Sequence, residues 1–302
     1  MKMKMKQVFL LLALALGAGT AIHAQGAGVS RFEGRWEGAI VTVRAVQEGD
    51  IVLQLIANPD GKLVGLASLP IAHVEDHPLL EVKAQGSELS FVYRDDAGSS
   101  LVKATLSADG KRLDGDMEEA GKHYAIYFKR KPAPVLAHPV RNLSLDGHEL
   151  REQFNRDADH VRLLVMLSPT CHKCLSEARL TQRYLMEQVD DPRLRLYVVW
   201  GPMQKDETEE AAQKAALDLE DSRVIHYWLP DEKLIQSFSK PMHLQPPAYS
   251  IFFLFPAHAT WTGELPPLDD YMHKFWYGKL PADREYDGIK LARKVRDLLA
   301  SK

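Results

Sequence analysis

Only two of the 302 residues are cysteine, Cys171 and Cys174, two positions apart. So few cysteines exclude a disulfide-stapled scaffold, and a bridge between these two closes a loop too small to add much stability. The apolar run from Val8 to Ala18 has about eleven residues, too short for a membrane span. There is no low-complexity tract and no basic block, and the formal net charge is −3, so nothing in the charge pattern points to nucleic acid. The chain has no Gly-x-Ser-x-Gly elbow, no readable Ser-His-Asp set and no glycine-rich nucleotide loop. What is left is ordinary for a soluble globular chain: 45% hydrophobic and 26% charged residues, with a length that suggests two domains.

The first 24 residues read as a signal peptide. Lys2, Lys4 and Lys6 form a positive start, the apolar run follows, and Ala24 or Ala21 ends a cleavage site. Losing those lysines takes the net charge to about −6. No cysteine lies nearby, which argues against lipoprotein processing. The leader is bacterial in style, so the expected location is periplasmic or secreted, with no membrane span after cleavage.

Residues 31–130 predict an all-β domain, an antiparallel barrel or sandwich. Gly49-Asp50, Asp60-Gly61, Gly86-Ser87 and Asp109-Gly110 punctuate short apolar runs such as Ile51–Ile56, Leu89–Tyr93 and Tyr124–Phe128. Asp60-Gly61-Lys62 and Asp109-Gly110-Lys111 repeat weakly, as in consecutive hairpins. Residues 131–141 hold Pro132, Pro134 and Pro139 and read as a stiff linker. From 142 to 302 strands and helices alternate, the pattern of a mostly parallel sheet covered on both faces. Strands are expected at Val161–Leu167, Leu194–Trp200 and Val224–Trp228. Helices are expected from the cysteines to Val189, at Asp206–Leu219, at 231–238 and at 287–299. A closing hairpin is expected from Tyr249–Phe255 and Thr260–Thr262 around Pro256-Ala257-His258.

Cys171-His172-Lys173-Cys174 follows an apolar strand and opens a helix. A thiol at a helix N-terminus has its thiolate stabilised by the dipole and free N–H groups, and a second thiol one turn along can close the disulfide. In an oxidising compartment such a pair is reactive rather than structural. His172 and Lys173, when charged, favour the Cys171 thiolate and are candidates for tuning it.

This order of elements resembles the thioredoxin superfamily, in the branch of periplasmic thiol reductases and peroxiredoxins, with residues 206–228 as that branch's inserted helix and strand. The fold class implied is a thioredoxin-like α/β domain after an all-β domain. By resemblance, Cys171 is the nucleophile and Cys174 the resolving thiol of a thiol–disulfide oxidoreductase. Pro246 or Pro247 matches the family's cis-proline and, with Thr170 and Trp261, is expected in a substrate groove. Partners implied are protein or small-molecule thiols and disulfides and a redox partner protein; no cofactor is expected. The chain departs from the family in three places. Thr170 stands where Trp usually precedes the first Cys. Val165 stands where a buried carboxylate manages the second thiol's proton, so water, a histidine or a carboxylate from elsewhere must serve. Pro246 before Pro247 offers no N–H to a substrate backbone. Leu164 stands where peroxidases of the family carry proline. For the first domain, Phe32-Glu33-Gly34-Arg35-Trp36-Glu37-Gly38 resembles the Gly-x-Trp start of lipocalin-like small barrels, here expected to be filled or partner-binding.

A second reading is a binding or assembly protein whose cysteines clamp a soft metal or are vestigial. His226, His243, His258 and His273 are its possible extra ligands, although no spacing links them. Trp200, Trp228 and Trp276 with Met203, Met242 and Met272 read as packing.

Overall fold

The computed structural model describes residues 29–41, 49–58, 60–205, 207–231, 234–235, 238, 249–263, 265–274 and 281–301. The leader, Met242, His243, Pro246, Pro247 and Trp276 lie outside them, as does much of the helix expected at 231–238. Two compact units divide between Ala133 and Pro134, the short segment Pro70–His73 grouping with the second.

The first unit is one antiparallel sheet of nine strands. They are β1 (Gly34–Ile40), β2 (Ile51–Ala57), β3 (Leu63–Leu69), β4 (Val74–Pro78), β5 (Leu80–Gln85), β6 (Glu88–Asp95), β7 (Gly98–Leu106), β8 (Arg112–Glu119) and β9 (Lys122–Lys131). Their spatial order is β4-β3-β2-β1-β9-β8-β7-β6-β5, and β3 comes against β5, so the sheet curls until it is nearly closed. Turn chemistry sets the hairpins. Between β7 and β8, Gly110 adopts φ 70° while the Asp109 carboxylate accepts from the Ser107 hydroxyl at 2.6 Å and from Lys111 N–H at 3.1 Å. Alternate side chains point inward, and Leu53, Leu55, Leu89, Phe91, Val102, Leu113 and Phe128 fill the interior. Trp36 is fully buried among them, donating from Nε1 to the Phe32 carbonyl at 2.8 Å. The Arg130 guanidinium lies 4.2 Å from the Trp36 ring and also donates to the carbonyls of Glu33, Arg31 and Gly110, tying β9 to the start of β1.

The second unit has six strands: β10 (Arg141–Asn142), β11 (Val161–Leu167), β12 (Leu194–Trp200), β13 (Val224–Trp228), β14 (Ile251–Phe255) and β15 (Asp270–His273). Their order is β10-β13-β12-β11-β14-β15. The first four are parallel, and β14 and β15 run antiparallel to their neighbours. The helices are α1 (His148–Arg156), α2 (His172–Thr181), α3 (Glu209–Ala216) and α4 (Gly288–Ala300). Every residue of β11 is buried because both faces are covered, which is why the strand reads as an unbroken apolar run from Leu163 to Leu167. Leu163, Val165 and Leu167 share one core with α2 and α4, and Leu164 and Met166 share the other with Phe154 of α1. Arg162, buried at the start of β11, donates to the carbonyls of His160, Phe154, Ala259 and Pro256 and so ends that strand without an exposed charge.

Several expected boundaries shift for local reasons. Thr208 caps α3, its hydroxyl accepting from Ala211 N–H at 3.2 Å, so the helix starts at Glu209; Asp206, the expected start, lies outside the described residues. Asp287 caps α4 through Lys290 N–H. Beyond Thr181 the α2 segment widens into a π turn, Gln182–Met186. The expected strand at Thr260–Thr262 does not form, and β15 at Asp270–His273 pairs with β14 instead. The Asn155 side chain takes both backbone groups of Trp261, Nδ2 donating to its carbonyl and Oδ1 accepting from its N–H, each at 2.8 Å. That satisfies the segment away from the sheet. Helix α1 and strand β10 were not expected.

In the first unit, Trp36→Ala removes a fully buried indole, its hydrogen bond and the Arg130 contact. Urea unfolding followed by near-ultraviolet circular dichroism is expected to show a loss of about 3–5 kcal/mol; a loss below about 1 kcal/mol contradicts the role given to this residue.

Candidate active site

Strand β11 ends in the loop Ser168-Pro169-Thr170, and Cys171 is the N-cap of α2, with φ −76° and ψ 116°. Cys171 is partly exposed and Cys174, one turn into the helix, is fully buried; both are free thiols. Their surroundings drive them apart. The Cys174 thiol, donating toward Cys171, brings Cys171 down to about 6. Burial opposes this. The backbone N–H groups of Cys174 and Lys173 add to it, facing the sulfur without closing a full cap hydrogen bond, and the Glu207 carboxylate works against it. Cys174 moves the other way. Burial pushes it well above the ordinary thiol value, and the negative charges of Cys171 and Glu177 push in the same direction.

Three further residues belong to this centre. Glu177 lies three positions after Cys174 on α2 and is fully buried, with neither carboxylate oxygen closing a full hydrogen bond. Burial raises its pKa from 4.5 to about 8, against the nearby Ser250 hydroxyl and the Lys274 and Lys173 charges. Ser250, just before β14, is fully buried and places its Oγ 3.4 Å from Cys174 Sγ. Glu207, in the connection from β12 to α3, gathers the loop in front of Cys171. It accepts from Ser168 Oγ at 2.5 Å, from Thr170 Oγ1, from Thr170 N–H at 3.3 Å and from the N–H groups of Met203 and Gln204 at 2.5 and 3.2 Å. Burial disfavours its charge, and these bonds outweigh burial and hold its pKa below the usual range.

The sequence-derived candidates divide. Cys171, His172, Lys173 and Cys174 come together at the start of α2, with His172 exposed and Lys173 half-buried. Lys173 acts on Cys171 through its backbone N–H and on Glu177 through its charge. Thr170 faces Glu207. Pro246 and Pro247 lie outside the described residues. Trp261 is a correction: it is buried edge-on against Phe154 and Phe238 in the core on the opposite sheet face from Cys174. An indole held on that face cannot line a groove beside the cysteines. His226 accepts from Trp200 Nε1 at 3.1 Å and its other nitrogen meets the Leu219 carbonyl; burial lowers its pKa to about 4, so it is a neutral core residue. His273 bonds the Pro281 carbonyl and His258 is exposed. Among the described residues, the group of potential ligands that meets at metal-binding distance is Asp146, His148 and Glu149, which includes neither cysteine.

Sequence reasoning missed Glu177, Ser250 and Glu207. Glu177 carried a signal, since its spacing puts it beside Cys174 and Ala178 on the buried side of α2. A carboxylate on a buried face needs a reason. Ser250 and Glu207 are 76 and 33 positions beyond Cys174, and only the fold brings them in.

No protein-family model matches the chain and no curated protein matches it. Among solved structures, it is similar to a secreted Mycobacterium tuberculosis disulfide oxidoreductase homologous to E. coli DsbE. The match has 12% identity and a TM-score of 0.30, and it covers 46% of this chain and 82% of that one. It is also similar to a thioredoxin-like protein in the oxidised form, with 16% identity and a TM-score of 0.34, covering 56% of this chain and 95% of that one. At these TM-scores the matches carry no argument, and the thioredoxin-like reading of the second unit rests on its own strand order and on a CxxC at a helix N-terminus.

A carboxyl held protonated has a definite pH signature. Unfolded, Glu177 ionises near 4.5; folded, near 8. Its contribution is constant below the lower value. Between the two values the unfolded state binds fewer protons, so stability falls by about 1.4 kcal/mol per pH unit, and above the upper value the loss is complete. Urea unfolding of reduced Glu177→Gln is expected to lack this fall, and its stability relative to wild type is expected to rise by roughly 3–5 kcal/mol from pH 4.5 to 8. Parallel pH profiles for the two proteins contradict the assignment.

Proposed function

We propose that this chain is an exported thiol–disulfide oxidoreductase that exchanges disulfides through Cys171 and Cys174. The observation that carries this reading is the asymmetry of the pair: a partly exposed Cys171 at the helix N-terminus, lowered to about 6, beside a fully buried Cys174 raised well above the usual value. A structural pair gains nothing from such a difference. An exchanging pair needs it, because one sulfur must attack at neutral pH while the other stays protonated until its turn.

The exchange runs in two steps. Cys171 thiolate attacks a substrate disulfide, forming a mixed disulfide and releasing one substrate thiolate. Cys174 then loses its proton and attacks the Cys171 sulfur, the bond to the substrate breaks, and the Cys171–Cys174 disulfide forms. Run backwards, the same steps oxidise a dithiol. Glu177, in its ionised fraction, supplies the nearby carboxylate for the Cys174 proton, the role left empty by Val165. His172 and Lys173 tune the pair, and Glu207 holds the Ser168–Thr170 approach to it. Thr170, Pro246 and Pro247 are assigned to the substrate groove on the sequence pattern, for protein or small-molecule thiols and disulfides. The leader motivates a periplasmic or secreted location. The all-β unit is read as a lipocalin-like barrel spanning 31–130, filled or partner-binding, joined through 131–141 to a thioredoxin-like domain at 142–302.

Two measurements test this reading. Alkylation of the reduced protein by iodoacetamide is expected at Cys171 with a pH–rate midpoint of about 6, while Cys174 stays unreactive. A Cys174→Ser variant expressed with its leader is expected to accumulate mixed disulfides through Cys171. Equal reactivity of the two thiols, or a variant that traps nothing, rejects the exchange reading.

A further inference from the structure

Ser250 has no part in the exchange as written above, yet it occupies the most constrained position beside it. Its φ is 54°, in the left-handed region where glycine or asparagine sits most easily. Its N–H donates to the Met166 carbonyl of β11 at 2.8 Å, and its carbonyl accepts from Lys274 N–H at 3.1 Å. A turn alone is satisfied by glycine with less strain, so the backbone does not explain a serine here. The hydroxyl is what serine adds, and it lies 3.4 Å from Cys174 Sγ in a site closed to solvent. Glu177, three residues past Cys174 on α2, is fully buried with no hydrogen-bond partner on either carboxylate oxygen, and the Ser250 hydroxyl acts on it against its burial.

We propose that Ser250 is the proton relay between Cys174 and Glu177. This rests on the exchange reading above and deepens it. Once Cys171 is in the mixed disulfide its negative charge no longer raises the Glu177 pKa, and in the molecules whose Glu177 is ionised the Cys174 S–H proton passes to Ser250 Oγ as the Ser250 O–H proton passes to the Glu177 carboxylate. The Cys174 sulfur attacks Cys171, the Cys171–substrate S–S bond breaks, and the Cys171–Cys174 bond forms. The substrate leaves as a thiolate with the electron pair of the broken bond, reduced, and takes up a proton from the Glu177 carboxyl or from water. A hydroxyl suits this place because it donates and accepts at once. The same hydroxyl eases ionisation of both Cys174 and Glu177 against their burial. The other groups acting on this pocket are Cys171 and Lys173 on α2, Lys274 after β15 and the Tyr286 phenol.

The test uses the full chain with glutathione attached to Cys171 as a mixed disulfide, and follows glutathione release after mixing. Ser250→Gly fits the backbone and Ser250→Ala keeps the strain; both remove the hydroxyl. Release is expected to slow about tenfold or more in both. The pH profile for alkylation of Cys171 is expected to stay put, and the 13Cβ titration of Cys174 in the reduced protein to move to higher pH. Wild-type release in both variants, or slow release in Ser250→Ala alone, overturns the relay, the second result pointing to packing. A wild type that releases no glutathione rejects the exchange reading itself and the relay with it, a different outcome from normal release in the variants.

Discussion

The pairing of β11 with β12 on one side and β14 on the other fixes the distances on which the site depends. The parallel ladder to β12 delivers Leu167 beside Trp200, so the loop before Cys171 and the loop carrying Glu207 leave the sheet together. The antiparallel ladder to β14 delivers Ser250 beside Met166, under the first turn of α2. One buried strand therefore sets Cys171, Cys174 and the polar groups around them. Its burial on both faces makes the placement rigid, since a shifted register would move a whole set of apolar side chains out of both cores.

Against this apolar background the site carries deliberate cost. Cys174 and Glu177 sit without solvent, and burial makes each resist ionisation. The large cores on both sheet faces offset that cost, and the reward is a second thiol that stays neutral while the first is ionised. Glu207 shows the opposite solution in the same neighbourhood. Its charge is kept because donors surround it. Two glutamates a short way apart thus differ in ionisation, one held protonated by desolvation and the other held charged by hydrogen bonds.

Much of this arrangement was legible in the sequence because it follows local rules. The central strands Val161–Leu167, Leu194–Trp200 and Val224–Trp228 stand where their largely apolar runs put them. Cys171 caps a helix as its spacing from Cys174 implied. What was not legible depends on partners distant in sequence. Thr260–Thr262 has the composition of a strand, and the Asn155 amide takes its hydrogen bonds elsewhere. Trp261 follows that segment into the core. Ser250 is an ordinary residue until the fold gives it a left-handed backbone and a sulfur neighbour. Glu177 was the readable omission, a carboxylate on a face otherwise meant for burial.

The central claim is that Cys171 and Cys174 form one reversible couple whose reduced form is favoured by a stabilised thiolate. The most direct measurement equilibrates the protein in graded glutathione redox buffers at pH 7 and quantifies the Cys171–Cys174 disulfide by alkylation and mass spectrometry. The account predicts a single two-electron transition with a midpoint above about −270 mV, more oxidising than thioredoxin because Cys171 is the more acidic thiol. A pair that forms no internal disulfide at any buffer ratio, or titrates as two independent thiols, contradicts it.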